Sequence, residues 1–134
     1  MIAEFDTALK TLVGDTLPGV PLYGNFEPRA NLTSTIIARL RFNGFTKADH
    51  RISQSSVSQQ WAIDLQADQA LADSTVPATM DGYLDDLIGA LLGATLTGTF
   101  DQIKIDSLAA GINDAESAVQ YTIFFSFSAV IRRA

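Results

Sequence analysis

The sequence predicts an α+β fold, a two-layer sandwich in which a mostly antiparallel sheet of about four main strands carries two amphipathic helices on one face. Three observations predict it. Val119 to Arg132 alternates apolar and polar residues over its length, the pattern of a long strand. Met80, Tyr83, Leu84, Leu87, Ile88, Leu91 and Leu92 recur at the helical period. The order of elements, helix, strand, strand, helix, strand, strand, suits antiparallel pairing under a layer of helices.

At the N-terminus, Ile2, Phe5, Leu9, Leu12 and Val13 line one side of a helix that ends near Gly14. Residues 15–23 hold Pro18, Gly19 and Pro21 and read as a turn or a short extended piece, and 25–31 as a loop. From Ser34 to Phe42, Ile36, Ala38, Leu40 and Phe42 share one face of a strand, with Thr35, Ile37, Arg39 and Arg41 on the other. Asn43-Gly44 favours a sharp change of direction. The polar stretch 43–58 is too long for a tight hairpin turn and is either a projecting β-arm or a mobile loop.

The next strand spans Gln60 to Ala67, with Trp61, Ile63, Leu65 and Ala67 facing one way. It pairs antiparallel with 34–42 through the arm. A polar connection, 68–79, leads to the helix at Met80–Leu92, whose Asp81, Asp85 and Asp86 point outward toward its positive N-terminal half. Phe100 to Leu108 forms a third strand, with Ile103 and Ile105 inward, and 109–117 a turn region. The closing strand follows, its Phe124 and Val130 apolar exceptions on the second face. A strand so rich in aromatic and β-branched residues must pair centrally or be covered. The whole of 1–134 reads as one domain.

The net charge of −6 is unevenly placed. Segment 1–28 carries −3, 29–51 carries +4, 52–116 carries −9 and 117–134 carries +2. An acidic chain is a poor non-specific binder of nucleic acid, because such binding neutralises phosphates. Separated patches of opposite sign suit protein association, or simply solvate an ordinary surface. With no cysteine, disulfides, thiolate zinc sites and thiol catalysis are excluded. No run reaches the roughly 18 apolar residues of a membrane helix. The acidic start, Met1 to Asp6, is not that of a secretory signal, so a soluble, cytoplasmic protein is expected.

His50, the single histidine, stands in Lys47-Ala48-Asp49-His50-Arg51. A general base beside Asp49 is one reading; an exposed histidine in the polar arm is preferred, since no nucleophile motif accompanies it. Asp64, Asp68 and Asp73 lack calcium-loop spacing. Asp85 and Asp86 diverge by about 100° on their helix and read as a solvated face. Gly89, Gly93 and Gly98 lack the strand that precedes a phosphate loop. Trp61 reads as core rather than a ligand platform. Tyr23 and Phe26, flanking Gly24, either mark an interface or fold back under the sheet. No catalytic, cofactor or metal site is expected.

Several segments together resemble the small tail-completion, or tail terminator, proteins of Mu-like contractile-tailed phages and prophages. These are the N-terminal helix, Ile36 to Gly44, Gln60 to Leu65, Gly82 to Ile88 running into Leu91-Leu92-Gly93, Ile103 to Leu108, and Tyr121 to Phe127. The resemblance lies in element order with a few aromatic and glycine positions, and covers most of the chain. It implies a non-enzymatic structural virion subunit without cofactors. Such subunits form a homo-oligomeric ring, a hexamer, that terminates the tail tube or sheath and joins it to the neck, in virions assembled in the host cytoplasm. A ring needs two different patches per subunit. Arg39 and Arg41 meeting Asp81, Asp85 or Asp86 of the next copy are candidates for that contact. Lys47, His50 and Arg51 are candidates for docking on tube, sheath or neck proteins. A small protein-binding adaptor is the alternative from a different class.

Overall fold

A computed structural model describes residues 2–28, 35–50, 54–70, 74–96 and 102–132, without the side chains of 46–50, 54–57 and 129–132. The elements are helix α1 (Ile2–Thr16), strands β1 (Leu22–Tyr23), β2 (Ile37–His50) and β3 (Gln54–Asp68), helix α2 (Thr75–Leu91), and strands β4 (Lys104–Asn113) and β5 (Ala118–Arg132). The fold is α+β. The five strands form one sheet in the order β1-β2-β3-β5-β4, antiparallel throughout except for the β1–β2 pair.

Both helices pack on one face. Phe5, Leu9 and Val13 of α1 and Val76, Met80, Leu87 and Leu91 of α2 share a single core with Ala38, Leu40, Trp61, Ile63, Leu65, Ile123, Phe125 and Phe127. Each of the Val, Leu, Ile, Phe and Met side chains among them, fully buried, stabilises the fold by about 1.5–3 kcal/mol before entropy is counted. Trp61 is completely buried, edge-on to Phe42 at 5.3 Å between ring centroids, as its place on the apolar strand face predicts. Phe5 meets Phe127 at 5.0 Å, tying the first helix to the last strand.

The stretch 43–58 is a β-arm over its described residues: the β2–β3 ladder runs out to His50 opposite Ser55. β5 follows on the other side of β3, out to Arg132 opposite Gln54. Strands of 14 or 15 residues reach about 50 Å, whereas helices of 15 and 17 residues reach about 22–26 Å. The helices therefore cover about half the length of the three long strands. Asn43-Gly44 is not a reversal. It sits where the β2–β3 register shifts, with Gly44 at φ +106°, so the dipeptide makes a bulge inside a continuous strand.

Three further boundaries differ from expectation. α2 begins at Thr75 rather than Met80, because Pro77 falls in its first turn, where a missing N–H costs nothing. β4 continues to Asn113, through residues read as a turn, and the turn itself is 114–117. Residues 97–101, which include the expected start of that strand, lie outside the described residues. The short piece around Pro21 becomes β1, parallel to β2 at Ala38 and Arg39.

Candidate functional site

The sheet face away from the helices carries a connected polar network. Arg41 of β2 donates to both carboxylate oxygens of Asp64 of β3, Nε to Oδ2 at 2.5 Å and Nη2 to Oδ1 at 3.1 Å. Thr122 Oγ1 of β5, directly opposite Asp64 in the ladder, donates to Oδ1 at 2.7 Å. Gln120 Nε2 donates to Thr122 Oγ1 at 3.0 Å, and Gln66 Nε2 donates to Gln120 Oε1 at 2.6 Å and to Glu116 Oε2 at 2.7 Å. Arg39 Nη1 reaches Glu116 at 3.5 Å. Nearer the arm, Gln60 Nε2 and Ser126 Oγ both donate to Asp106, each at 2.9 Å, and Asn43 Nδ2 donates to Gln60 Oε1 at 2.6 Å.

This face is polar yet dry at its centre. The Asp64 side chain is only 2% exposed, and the Arg41 guanidinium lies over the Phe124 ring at 5.8 Å. The hydrogen bond to Asp64 is the main cause that raises the Arg41 pKa above the ordinary arginine value. Buried charges are tolerated when paired in this way. On the helix side, Trp61 Nε1 donates to Gln59 Oε1 at 3.0 Å, and Gln59 Nε2 is buried without a hydrogen-bond partner among the described residues. The loop after β1 is clamped to α1: Asn25 N donates to Asp6 Oδ1 at 2.7 Å, and Lys10 pairs with Glu27. Gly24 allows this close approach, since a Cβ would stand 2.7 Å from Asp6 Oδ2 and force the clamped carboxylate to shift.

The residues singled out for a subunit contact fall on two layers. Arg39 and Arg41 lie on the open sheet face and are held by Glu116 and Asp64 of the same chain. Asp85 and Asp86 lie exposed on α2. Asp81 approaches Tyr121, whose phenol is pushed above its usual pKa by burial first, then by the hydrogen bond and charge of Asp81. The two sets do not meet within one copy, and Arg41 is already committed to a nearly buried partner. Lys47 and His50 occupy the arm end of β2, opposite Ser58 and Ser55; their side chains, and Arg51 entirely, lie outside the described residues. The ladder brings the backbone of Arg132 to the same end, a neighbour that only the strand register reveals. Of the two aromatics beside Gly24, Tyr23 is half-buried within β1 and Phe26 is 64% exposed.

Both sheet edges are open among the described residues. β4 pairs on one side only, and Asp106 through Ile112, seven successive residues, are all exposed. Leu108 is 49% and Ile112 51% exposed on the helix side of the sheet. At the other edge, β1 covers β2 at residues 38–39 and Asn25 Oδ1 accepts from Phe42 N at 2.9 Å. Beyond that point no strand among the described residues pairs with the outer edge of 43–50, and Phe45 there is 52% exposed, its ring edge-on to Phe42. Among the described residues no helix is long and apolar enough to cross a membrane, and no group of three or more His, Asp or Glu side chains is placed to hold a metal ion. No protein-family model matches the chain, and no curated protein matches it.

Proposed function

We propose that this chain is a structural subunit of a contractile bacteriophage tail, forming a hexameric ring that terminates the tail tube or sheath and joins it to the neck. The observation that carries the reading is the exposed edge strand β4, uncharged from Ser107 to Ile112. A bare edge of this kind is an invitation to strand pairing and is normally blunted by charge, proline or a cover. An assembly subunit has a use for it. The element order resembling tail terminator proteins supplies the kind of assembly, and the arm, with Lys47, His50 and Arg51 toward its end, supplies a contact for tube, sheath or neck proteins. The protein works in the virion, at the tail end nearest the neck, after assembly in the host cytoplasm.

The test is the mass of the purified protein across a concentration series, with electron microscopy of the assembled species. A closed ring of six copies, able to seat on tail tubes made without it, is the expected result. A monomer at every concentration, with tube protein present, would overturn the reading in favour of a small adaptor. Tails that are capped normally by a variant with residues 45–57 shortened would remove the arm from the docking role.

A further inference from the structure

We infer that β4 of one copy adds, antiparallel, to the free edge of β2 in the arm of the next, so that the sheets of neighbouring copies become continuous. The inference specifies the subunit contact of the proposed ring and rests on that reading for closure of the ring, though not for the contact itself.

Strand direction permits it. β2 and β5 run one way and β3 and β4 the other, so a copy placed beside β4 with its sheet in the same sense presents β2 antiparallel to it. The two edges are different surfaces of one subunit, which makes the contact head-to-tail, the type that generates rings. The lengths match: with Phe45 beside Leu108, residues 104–110 of β4 face 43–49 of β2, seven residues that all lie beyond the loop capping Phe42 N.

Charge suits this pairing. The facing stretches carry Lys47 and Asp49 on β2 and Lys104 and Asp106 on β4. The signs come in the same order and at the same spacing, so antiparallel pairing sets each charge beside its opposite. Apolar surface agrees. Phe45 on one edge and Leu108 and Ile112 on the other are half-exposed, and all three belong to the helix side of the sheet. The register that lays Phe45 beside Leu108 brings Lys47 level with Asp106 and Asp49 level with Lys104. It also brings the β2 irregularity between Phe45 and Lys47 within one residue of the β4 irregularity between Ile105 and Ser107, while the Asn43-Gly44 bulge falls opposite Ala109 and Ala110.

The absence of cysteine makes the experiment clean. Phe45→Cys and Leu108→Cys proteins, separately tagged, are mixed and mildly oxidised. The expected product is a mixed disulfide that needs both variants, with at least tenfold less cross-linking in either variant alone. Leu108→Lys, at a half-exposed position that spares the core, should retain its circular dichroism and weaken self-association at least tenfold. A Leu108→Cys disulfide formed as readily without its partner variant would replace this contact by a symmetric β4 pair and overturn it. Intact rings of Leu108→Lys protein with no mixed disulfide would overturn it while leaving the ring standing. Cross-linked open filaments would support the contact and remove the ring.

Discussion

The buried Arg41–Asp64 pair gives the sharpest test of how the open sheet face is held. Asp64→Asn keeps the shape of the side chain and its bond from Thr122 but removes the charge. Arg41, 31% exposed, then loses its bond to Oδ2, where an amide nitrogen now stands, keeps only a neutral acceptor at Oδ1, and is partly rescued by water. Loss of hydrogen bonds to a charged group costs about 1.5–3 kcal/mol, and water access keeps this variant toward the lower half. Arg41→Met keeps an apolar stem over Phe124 but strands a carboxylate whose side chain is 2% exposed. Thr122 and Gln120 still donate to it, so the expected cost is about 3 kcal/mol, the bottom of the range for breaking a buried pair. The double variant has neither charge to desolvate. It should lose about 2 kcal/mol less than the two single losses combined. Urea unfolding of all four proteins at one fixed protomer concentration reads this coupling without interference from assembly. Losses that add to within about 0.5 kcal/mol would refute the reasoning, because the pair would then hold nothing that its members do not hold separately.

Three other outcomes follow from the packing. Trp61→Ala empties the centre of the core and should cost about 3–5 kcal/mol, read as a lowered thermal midpoint. Gly44→Val forces a β-branched residue to φ +106° and should cost more than about 1 kcal/mol, whereas Gly82→Ala, on an exposed turn of α2 with no atom near its added Cβ, should be neutral or stabilising; equal effects would deny the bulge. Tyr121 has a raised pKa in the folded protein, so its contribution is fully present below the unfolded value of about 10 and is lost as pH rises through the folded value. Stability should therefore fall on the alkaline side of about pH 10, and Tyr121→Phe should flatten that limb in pH-dependent unfolding.

What could be read from the sequence was whatever burial had written into it. Trp61, Ile63 and Leu65 face the helices, as do Ile123, Phe125 and Phe127, and the alternation of each strand announces it. Met80, Leu87 and Leu91 do the same for α2 at the helical period. β4 is the counter-example. Its residues 109–113 read as turn because an edge strand exposed on both faces has no buried side to impose a period. β1, two residues long, is too short to show one. The candidate contact residues failed to be legible for a different reason. Arg39 and Arg41 alternate onto the outer face as expected, but only the register says that Asp64 stands between them and Thr122, and that the turn brings Glu116 within reach. Partners lying 23 and 77 positions further along the chain leave no local trace. The consequence reaches the assembly argument. Charges already spent inside the subunit are poor candidates to hold two subunits together, and the proposed contact falls where sequence patterning is silent: at the sheet edges that stand open among the described residues.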